Sequence, residues 1–138
     1  MTHISNKDIT FVITTFKSEK IIDSCIDCLP PESKKIIVEN GSDIALKNNL
    51  ENKYKNLECY VTSKNLGYGK ANNFGIKNSK TRYIFILNPD AHILDNTMRD
   101  MTKNLYNINF AIAAPYSKDD TEIETFEHDT RYKIRNSL

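Results

Sequence analysis

The sequence predicts an α/β domain with a mostly parallel sheet, strand order 3-2-1-4 plus a fifth strand, and helices on both faces. Short β-branched and apolar runs alternate with helical patterns along the chain, as they do in βαβ units. Right-handed crossovers make this Rossmann-like order the simplest one. The length of 138 residues is that of one domain.

The first part of the chain predicts a strand, a helix and a second strand. Residues 9–15 form a β-branched run typical of a strand that is buried on both faces. Ser18 is a candidate N-cap for a helix over about residues 18–29, which Pro30 ends. The second strand covers residues 35–39.

Turn residues follow the second strand and introduce the next helix. Ser42 or Asp43 can cap a helix over about residues 44–53. Residues 57–62 alternate between apolar and polar types, which predicts a third strand.

A glycine-containing loop then leads into a helix near residues 70–79, and we expect Ala71, Phe74 and Ile76 to face the core. Residues 82–87 are the clearest strand of the chain.

The last part predicts a helix over 96–106, with Asp95 as its cap, and the fifth strand over 110–114. We therefore expect a domain over residues 1–116, followed by a charged tail over 117–138 that is either a frayed edge or the start of a truncated continuation. Neither an apolar leader nor a run of the ~20 apolar residues that span a bilayer is present, so we expect a soluble, intracellular domain.

The three cysteines predict packing more than chemistry. Cys25 and Cys28 form a C-x-x-C pair inside a helical pattern, whereas redox pairs lie at a helix start. A zinc site needs two further ligands, and Cys59 in a strand is the one other cysteine. We therefore interpret Cys25 and Cys28 as small buried residues on the core-facing side of the helix.

Polar residues collect where the strands of this sheet would end. In an open α/β sheet the ligand crevice lies at the carboxyl ends of the strands. Asp90 after the fourth strand could bind Mg²⁺ or Mn²⁺ together with substrate phosphates, although Asn-Pro-Asp is also a common turn, and spacing alone favours the turn. The residues at the four predicted strand ends are Thr14, Thr15, Phe16, Glu39, Asn65, Asn88 and Asp90.

The glycines near Lys70 match neither common phosphate-binding signature. Lys64 stands where a Walker A loop has its first glycine, and Asn72 stands where a dinucleotide-binding fingerprint has its third. A glycine bend before a helix still offers N–H groups to an anion, and a plain loop is an equal alternative.

Four segments of the chain are each weak evidence for a protein family, but together, in this order and at this spacing, they are specific. They are FVITTFKSEKIIDSCIDCL, IIVENGS, KNLGYGKANNFGI and YIFILNPDAHI. From about Ile9 to Pro115 the chain thereby resembles the nucleotide-sugar-binding half of glycosyltransferase family 2 enzymes with the GT-A fold. The similarity is to the rhamnosyltransferase-like branch in particular.

The resemblance implies roles at matching positions. Thr15 and Phe16 border the nucleoside, with the aromatic ring near the base. Glu39, where the family usually has Asp, accepts a hydrogen bond from the pyrimidine ring. The other nucleotide-binding residues that the resemblance implies are Thr14, Asn65, Gly67, Asn72 and Asn88.

Asp90 is implied as the metal-contacting residue of an Asp-x-Asp motif whose first acid is here Asn88, with Mn²⁺ or Mg²⁺ as the metal. The implied reaction is inverting sugar transfer from a UDP- or dTDP-type donor to a hydroxyl of a saccharide or lipid-linked acceptor. The resemblance also implies cell-envelope polysaccharide synthesis in a bacterium, in the cytoplasm or at the inner face of the membrane. The catalytic base belongs to an acceptor-binding half beyond the chain end, so we expect little transfer by this chain alone.

Three alternatives have less support. A nucleotidyltransferase carries a glycine-rich signature after the first strand, and none follows Thr15. A non-catalytic module of the same fold could bind nucleotide sugar or self-associate as a homodimer through an exposed sheet edge. With 19 basic and 18 acidic side chains nearly balanced, we expect no nucleic-acid binding.

Overall fold

The computed structural model describes residues 4–94, 96–110, 112–115 and 132–135. The chain divides into two compact units, Ser5–Ile93 and a second unit made of Met1–Ile4 with Leu94–Leu138. Every residue of the predicted site lies in the Ser5–Ile93 unit.

The Ser5–Ile93 unit is a four-stranded parallel sheet with helices between its strands. The strand order is β3-β2-β1-β4, which confirms the predicted order. After a 3₁₀ turn at Asn6–Asp8, its elements are β1 (Ile9–Thr15), α1 (Ile22–Asp27), β2 (Lys34–Glu39), α2 (Ile44–Lys53), β3 (Leu57–Val61), α3 (Tyr68–Asn78) and β4 (Tyr83–Leu87).

β1 is the central strand, and every one of its seven residues is buried. It pairs with β2 from Thr10↔Lys34 to Thr15↔Glu39 and with β4 from Ile9↔Tyr83 to Ile13↔Leu87. A strand covered on both faces needs apolar or β-branched residues at every position, which explains why residues 9–15 show no alternation.

α3 packs unusually close to the sheet because it presents a glycine to it. A Cβ on Gly75 would lie 2.5 Å from Val12 Cγ1. The buried face of α3 consists of Ala71, Asn72 and Gly75. The prediction that Phe74 faces the core was therefore wrong: this close approach leaves no room for a phenyl ring, which lies at the flank, 5.4 Å from the ring of Tyr60.

α1 is shorter than predicted. Its first residue is Ile22, and Ser18 does not cap it, because the Ser18 hydroxyl bonds to the backbone of Phe16, donating to its carbonyl at 3.2 Å and accepting its N–H at 3.4 Å. α2 begins as predicted, with the Asp43 carboxylate accepting the N–H of Leu46 at 2.8 Å.

The second unit contains α4 (Thr97–Leu105), β5 (Ile112–Pro115) and β6 (Tyr132–Arg135). The fifth strand is thus present, but β5 pairs antiparallel with β6 in a separate two-stranded sheet. Its partner comes from the segment predicted as a tail, which corrects the expectation that this strand extends the parallel sheet. The predicted cap Asp95 lies outside the described residues. No helix in the described ranges is long and apolar enough to cross a bilayer.

Candidate functional site

The carboxyl ends of β1, β2 and β3 are held level with one another by backbone hydrogen bonds. Asn40 N–H donates to the carbonyl of Thr15 at 2.8 Å, and Thr62 N–H donates to the carbonyl of Glu39 at 2.9 Å. These bonds continue the parallel ladders one residue past each strand. The loops that follow the three strands therefore start from one edge of the sheet.

Glu39 holds the loop after β2. Its side chain is only 1 % exposed, and its carboxylate accepts Gly41 N–H at 2.9 and 3.0 Å and Asp43 N–H at 2.7 Å. The length of a glutamate side chain lets the carboxylate fold back over its own loop. The role expected from the resemblance, a bond to a pyrimidine ring, stays a prediction.

Phe16 presents an aromatic surface beside this loop. Its ring is 47 % exposed. A Cβ on Gly41 would lie 3.5 Å from Phe16 Cδ2 and 3.0 Å from Glu39 Oε1, so the glycine leaves space for both side chains. Lys17 lies with Nζ 5.4 Å from the centre of the Phe16 ring.

The loops after β1 and β2 each contain one residue in the left-handed region. Lys17 has a φ of 53° and Ser42 a φ of 67°. Such conformations cost energy outside glycine and persist where the surroundings impose them, often at functional sites. Both lie in loops that the sequence predicts to border a ligand.

Thr14 and Thr15 point into the unit. Thr14 Oγ1 donates to Asn72 Oδ1 at 2.9 Å, which ties β1 to α3. Thr15 Oγ1 is fully buried and has no hydrogen-bond partner in the described part of the chain. An unpaired buried hydroxyl is costly, and it lies at the strand end that borders the site.

Asn40 is a functional candidate that the sequence reasoning missed. It is 2 % exposed; its amide donates to Asn65 Oδ1 at 2.8 Å, and its Oδ1 accepts Leu66 N–H at 2.8 Å and Thr62 Oγ1 at 3.1 Å. Asn65 Oδ1 also accepts Gly67 N–H at 2.8 Å. Asn40 therefore fixes the loop before α3. The sequence signal was present, but an Asn-Gly pair predicts a turn equally well.

α3 starts without a side-chain cap. Its N-cap is Gly67, with a φ of 78°, and no side chain bonds to the first turn. Space is open around the Cβ positions of Gly67 and Gly69. Exposed N–H groups and the helix dipole make such an end favourable for an anion.

The segment after β4 brings Asn88 and Asp90 to the same edge of the sheet. Tyr68 at the start of α3 donates its hydroxyl to Asn88 Oδ1 at 2.8 Å, which joins α3 to the end of β4. Asp90 is exposed and has no hydrogen-bond or ion-pair partner among the described residues. Within the described ranges no three acidic, histidine or cysteine side chains are grouped to hold a metal by themselves.

The C-x-x-C pair is free and packs against this segment. Cys25 is completely buried, as predicted, whereas Cys28 is only half-buried; the Cys25 thiol donates to the carbonyl of Asn88 at 3.5 Å. Burial, followed by the charges of Cys28 and Asp90, raises the pKa of Cys25 to about 12. The thiol therefore stays protonated at neutral pH and is a weak nucleophile, which argues against a redox role.

The structure thus brings the predicted residues together in linked groups: Thr15, Phe16 and Glu39 around the β2 loop, Thr14 with Asn72, Asn65 with Gly67, and Asn88 with the start of α3. In an open α/β sheet, polar loops at the carboxyl edge of the strands form the ligand-binding crevice. The chain belongs to glycosyl transferase family 2, whose family model matches residues 10–138.

Solved structures agree on the fold. Crystal structures of S. aureus TarS residues 1–349, of the same fragment in complex with UDP, and of S. aureus TarS align at TM-scores of 0.61, 0.60 and 0.60, with 21 %, 20 % and 20 % identity. Each alignment covers 71 % of this chain, and 32 %, 32 % and 19 % of the respective TarS chains. This chain therefore spans a third or less of those proteins. No curated protein sequence matches it significantly.

Proposed function

We propose that the carboxyl edge of the parallel sheet binds a nucleoside diphosphate sugar of the UDP or dTDP type for transfer of the sugar to an acceptor hydroxyl. The observation that carries this proposal is the exposed, unpartnered Asp90 on the same edge as the uncapped start of α3. In a metal-bound diphosphate, a carboxylate binds the metal ion and a helix N-terminus binds the phosphate oxygens.

The nucleoside would lie against the loops after β1 and β2. The exposed Phe16 ring offers a stacking face, and it follows directly on Thr15, the buried last residue of β1. Glu39 would either contact the base directly or hold Gly41 and Asp43 in position for it. The hydrogen bonds of its carboxylate support the second role.

The diphosphate would lie at the start of α3. Asn65 and Asn40 hold the backbone around Gly67, and Asn72 is held by Thr14. The positive end of the helix dipole and its first N–H groups would stabilise the negative charge.

Mn²⁺ or Mg²⁺ would bind to Asp90, close to Asn88, whose amide oxygen already accepts the Tyr68 hydroxyl. The residues fit: Mg²⁺ is usually held by one or two carboxylates together with substrate phosphates, and the Asp90 carboxylate has no competing partner among the described residues. When bound, such an ion neutralises the charge that develops on the departing diphosphate.

Transfer with inversion requires the acceptor hydroxyl to attack from the side opposite to the diphosphate and to lose its proton to a general base. We assign that base to no described residue. We propose that the acceptor is a saccharide or a lipid-linked molecule. We also propose that the transfer takes place in the cytoplasm or at the inner face of a bacterial membrane, in the synthesis of cell-envelope polysaccharide.

Titration calorimetry with UDP and dTDP, with and without Mn²⁺, tests the proposal. Mn²⁺ should tighten nucleotide binding, and Asp90→Ala should reduce this gain by tenfold or more. Asp8→Ala is the matched control, because Asp8 is an exposed acid just before β1, at the opposite edge of the sheet. A metal gain that persists in Asp90→Ala, or wild-type protein that binds neither nucleotide, would overturn the assignment.

We also propose self-association through β4 as a second role. Among the described strands β4 is an edge of the parallel sheet, and Ile84 and Ile86 are 38 % and 46 % exposed on it. Two exposed isoleucines on one strand favour association between copies through their apolar surface. Light scattering should show a dimer that Ile86→Lys dissociates; a wild-type monomer at high concentration contradicts this role.

A further inference from the structure

Helix α1 and its C-cap residue Cys28 contact both ends of the segment that carries Asp90. This segment, residues 88–93, is called the Asp90 loop below. Cys25 contacts its first residue, with Sγ donating to the carbonyl of Asn88 at 3.5 Å. Cys28 contacts its last residue, with Sγ accepting the N–H of Ile93 at 3.2 Å.

A third contact comes from the same helix. Ser24 Oγ lies 3.4 Å from His92 Nε2. Positions 24 and 28 are four residues apart and lie one above the other, and position 25 lies beside them, so α1 and its C-cap present all three side chains to the loop together. Within the described residues, the loop's own bond runs from Ala91 N–H to the carbonyl of Asn88 at 3.1 Å.

We propose that Cys25 and Cys28 are positioning residues that set the conformation of the Asp90 loop and thereby the place of its carboxylate. The metal part of this inference depends on the proposed function. The side chain of Asp90 is exposed and does little to fix the conformation of the loop. A thiol is a weak donor and acceptor, so the two contacts act through geometry at both ends of a short loop rather than through the strength of either bond.

Packing alone predicts different behaviour. If the two thiols only fill space, alanine at either position loosens the whole unit and the Asp90 loop no more than the rest. If Cys28 fixes the loop through the N–H of Ile93, alanine frees that amide selectively, and serine, which keeps an acceptor at the same position, restores it.

Amide hydrogen exchange measured by NMR separates the two cases. In Cys28→Ala, exchange at Ile93 should accelerate at least tenfold relative to the amide of Ile13 in the central strand, and Cys28→Ser should recover most of this protection. The control is Cys59→Ala, which removes a buried thiol from β3. It should leave the ratio of Ile93 to Ile13 exchange unchanged. An unchanged ratio in Cys28→Ala overturns the proposal.

The consequence for metal binding is measured separately, as the factor by which Mn²⁺ tightens UDP binding. Alanine at both Cys25 and Cys28 should lower this factor at least threefold, and Cys59→Ala should keep it. A factor that is unchanged in the double variant contradicts a role in placing Asp90. Wild-type protein with no Mn²⁺ effect refutes the proposed metal site and this role with it, while the exchange ratio still decides whether the thiols fix the loop.

Discussion

Replacing Glu39 by Gln probes the part of the site that the structure defines most closely. The carboxylate accepts Gly41 N–H with both oxygens, at 2.9 and 3.0 Å, and Asp43 N–H with one, at 2.7 Å. In Gln, one oxygen remains to accept both N–H groups, and the new amide places a donor against a donor. Hydrogen bonds to a charged group are roughly twice as strong as neutral ones, at about 1.5–3 kcal/mol each. The free energy of unfolding should therefore fall by about 2 kcal/mol.

Urea unfolding measures this change directly. With a slope of about 2 kcal/mol per molar urea, the midpoint should fall by about 1 M without a change in slope. Glu58→Gln is the control, because this exposed carboxylate accepts the Tyr60 hydroxyl at 2.8 Å and closes no buried loop. If Glu39→Gln unfolds within about 0.5 kcal/mol of wild type, as a surface substitution does, the carboxylate does not hold the loop.

The same variant distinguishes loop positioning from base recognition. If Glu39 acts only through Gly41 and Asp43, Glu39→Gln weakens UDP and CDP binding by the same factor. If its carboxylate bonds to the base, the ratio of the two affinities changes, because position 3 of uracil is a donor and that of cytosine is an acceptor.

Two further predictions concern stability. Gly75→Ala should destabilise the protein by about 1–3 kcal/mol through overpacking, because its Cβ would lie 2.5 Å from Val12 Cγ1. Gly69→Ala, in open space, should be neutral or stabilising by up to about 1 kcal/mol. Equal melting temperatures of the two variants in thermal unfolding would contradict the close packing of α3. Burial, and after it the hydrogen bonds to the carboxylates of Asp27 and Asp23, raise the pKa of Tyr54 from 10.0 to about 12. The protonated Tyr54 hydroxyl therefore contributes fully to stability below pH 10, and this contribution is lost as the pH rises toward 12. Tyr54→Phe should accordingly be less stable than wild type at pH 8, and urea unfolding at pH 11 should show a smaller difference; a constant difference refutes the assignment.

The parallel sheet could be predicted from the sequence because local patterns determine it. The uninterrupted β-branched run of β1 identifies a central strand, and Asp43 caps α2 at the predicted position. Right-handed crossovers then leave few possible orders, and the structure has the predicted one.

The errors arose where tertiary contacts override local patterns. Helical periodicity placed Phe74 inward, but Gly75 brings α3 so close to the sheet that a large ring cannot fit beneath it. The alternation of strands and helices likewise assigned the fifth strand to the parallel sheet, while its partner lies about twenty residues further along the chain, where no pattern indicated pairing. Ser18 is a good cap by type, but its hydroxyl bonds to the backbone of Phe16 in the turn before α1.

The candidate site was partly predictable for the same reason. The strand ends follow from the topology, so residues such as Thr15, Asn88 and Asp90 could be placed at one edge of the sheet from the sequence. The direction of each side chain could not. Glu39 turns back onto its own loop, and Asn40 connects two loops that are 25 residues apart in sequence.

Backbone amide shift mapping with UDP and Mg²⁺ tests most directly whether the carboxyl edge of the sheet holds the nucleotide. We expect the largest shifts at Phe16, Gly41 and Gly67, in the loops after β1, β2 and β3. The cleft between α1 and α2 is the contrasting location; it has a volume of about 190 Å³ and is lined by residues that include Glu19, Asp23 and Lys53. Shifts centred on that cleft, with the three strand-end loops unchanged, would contradict the account.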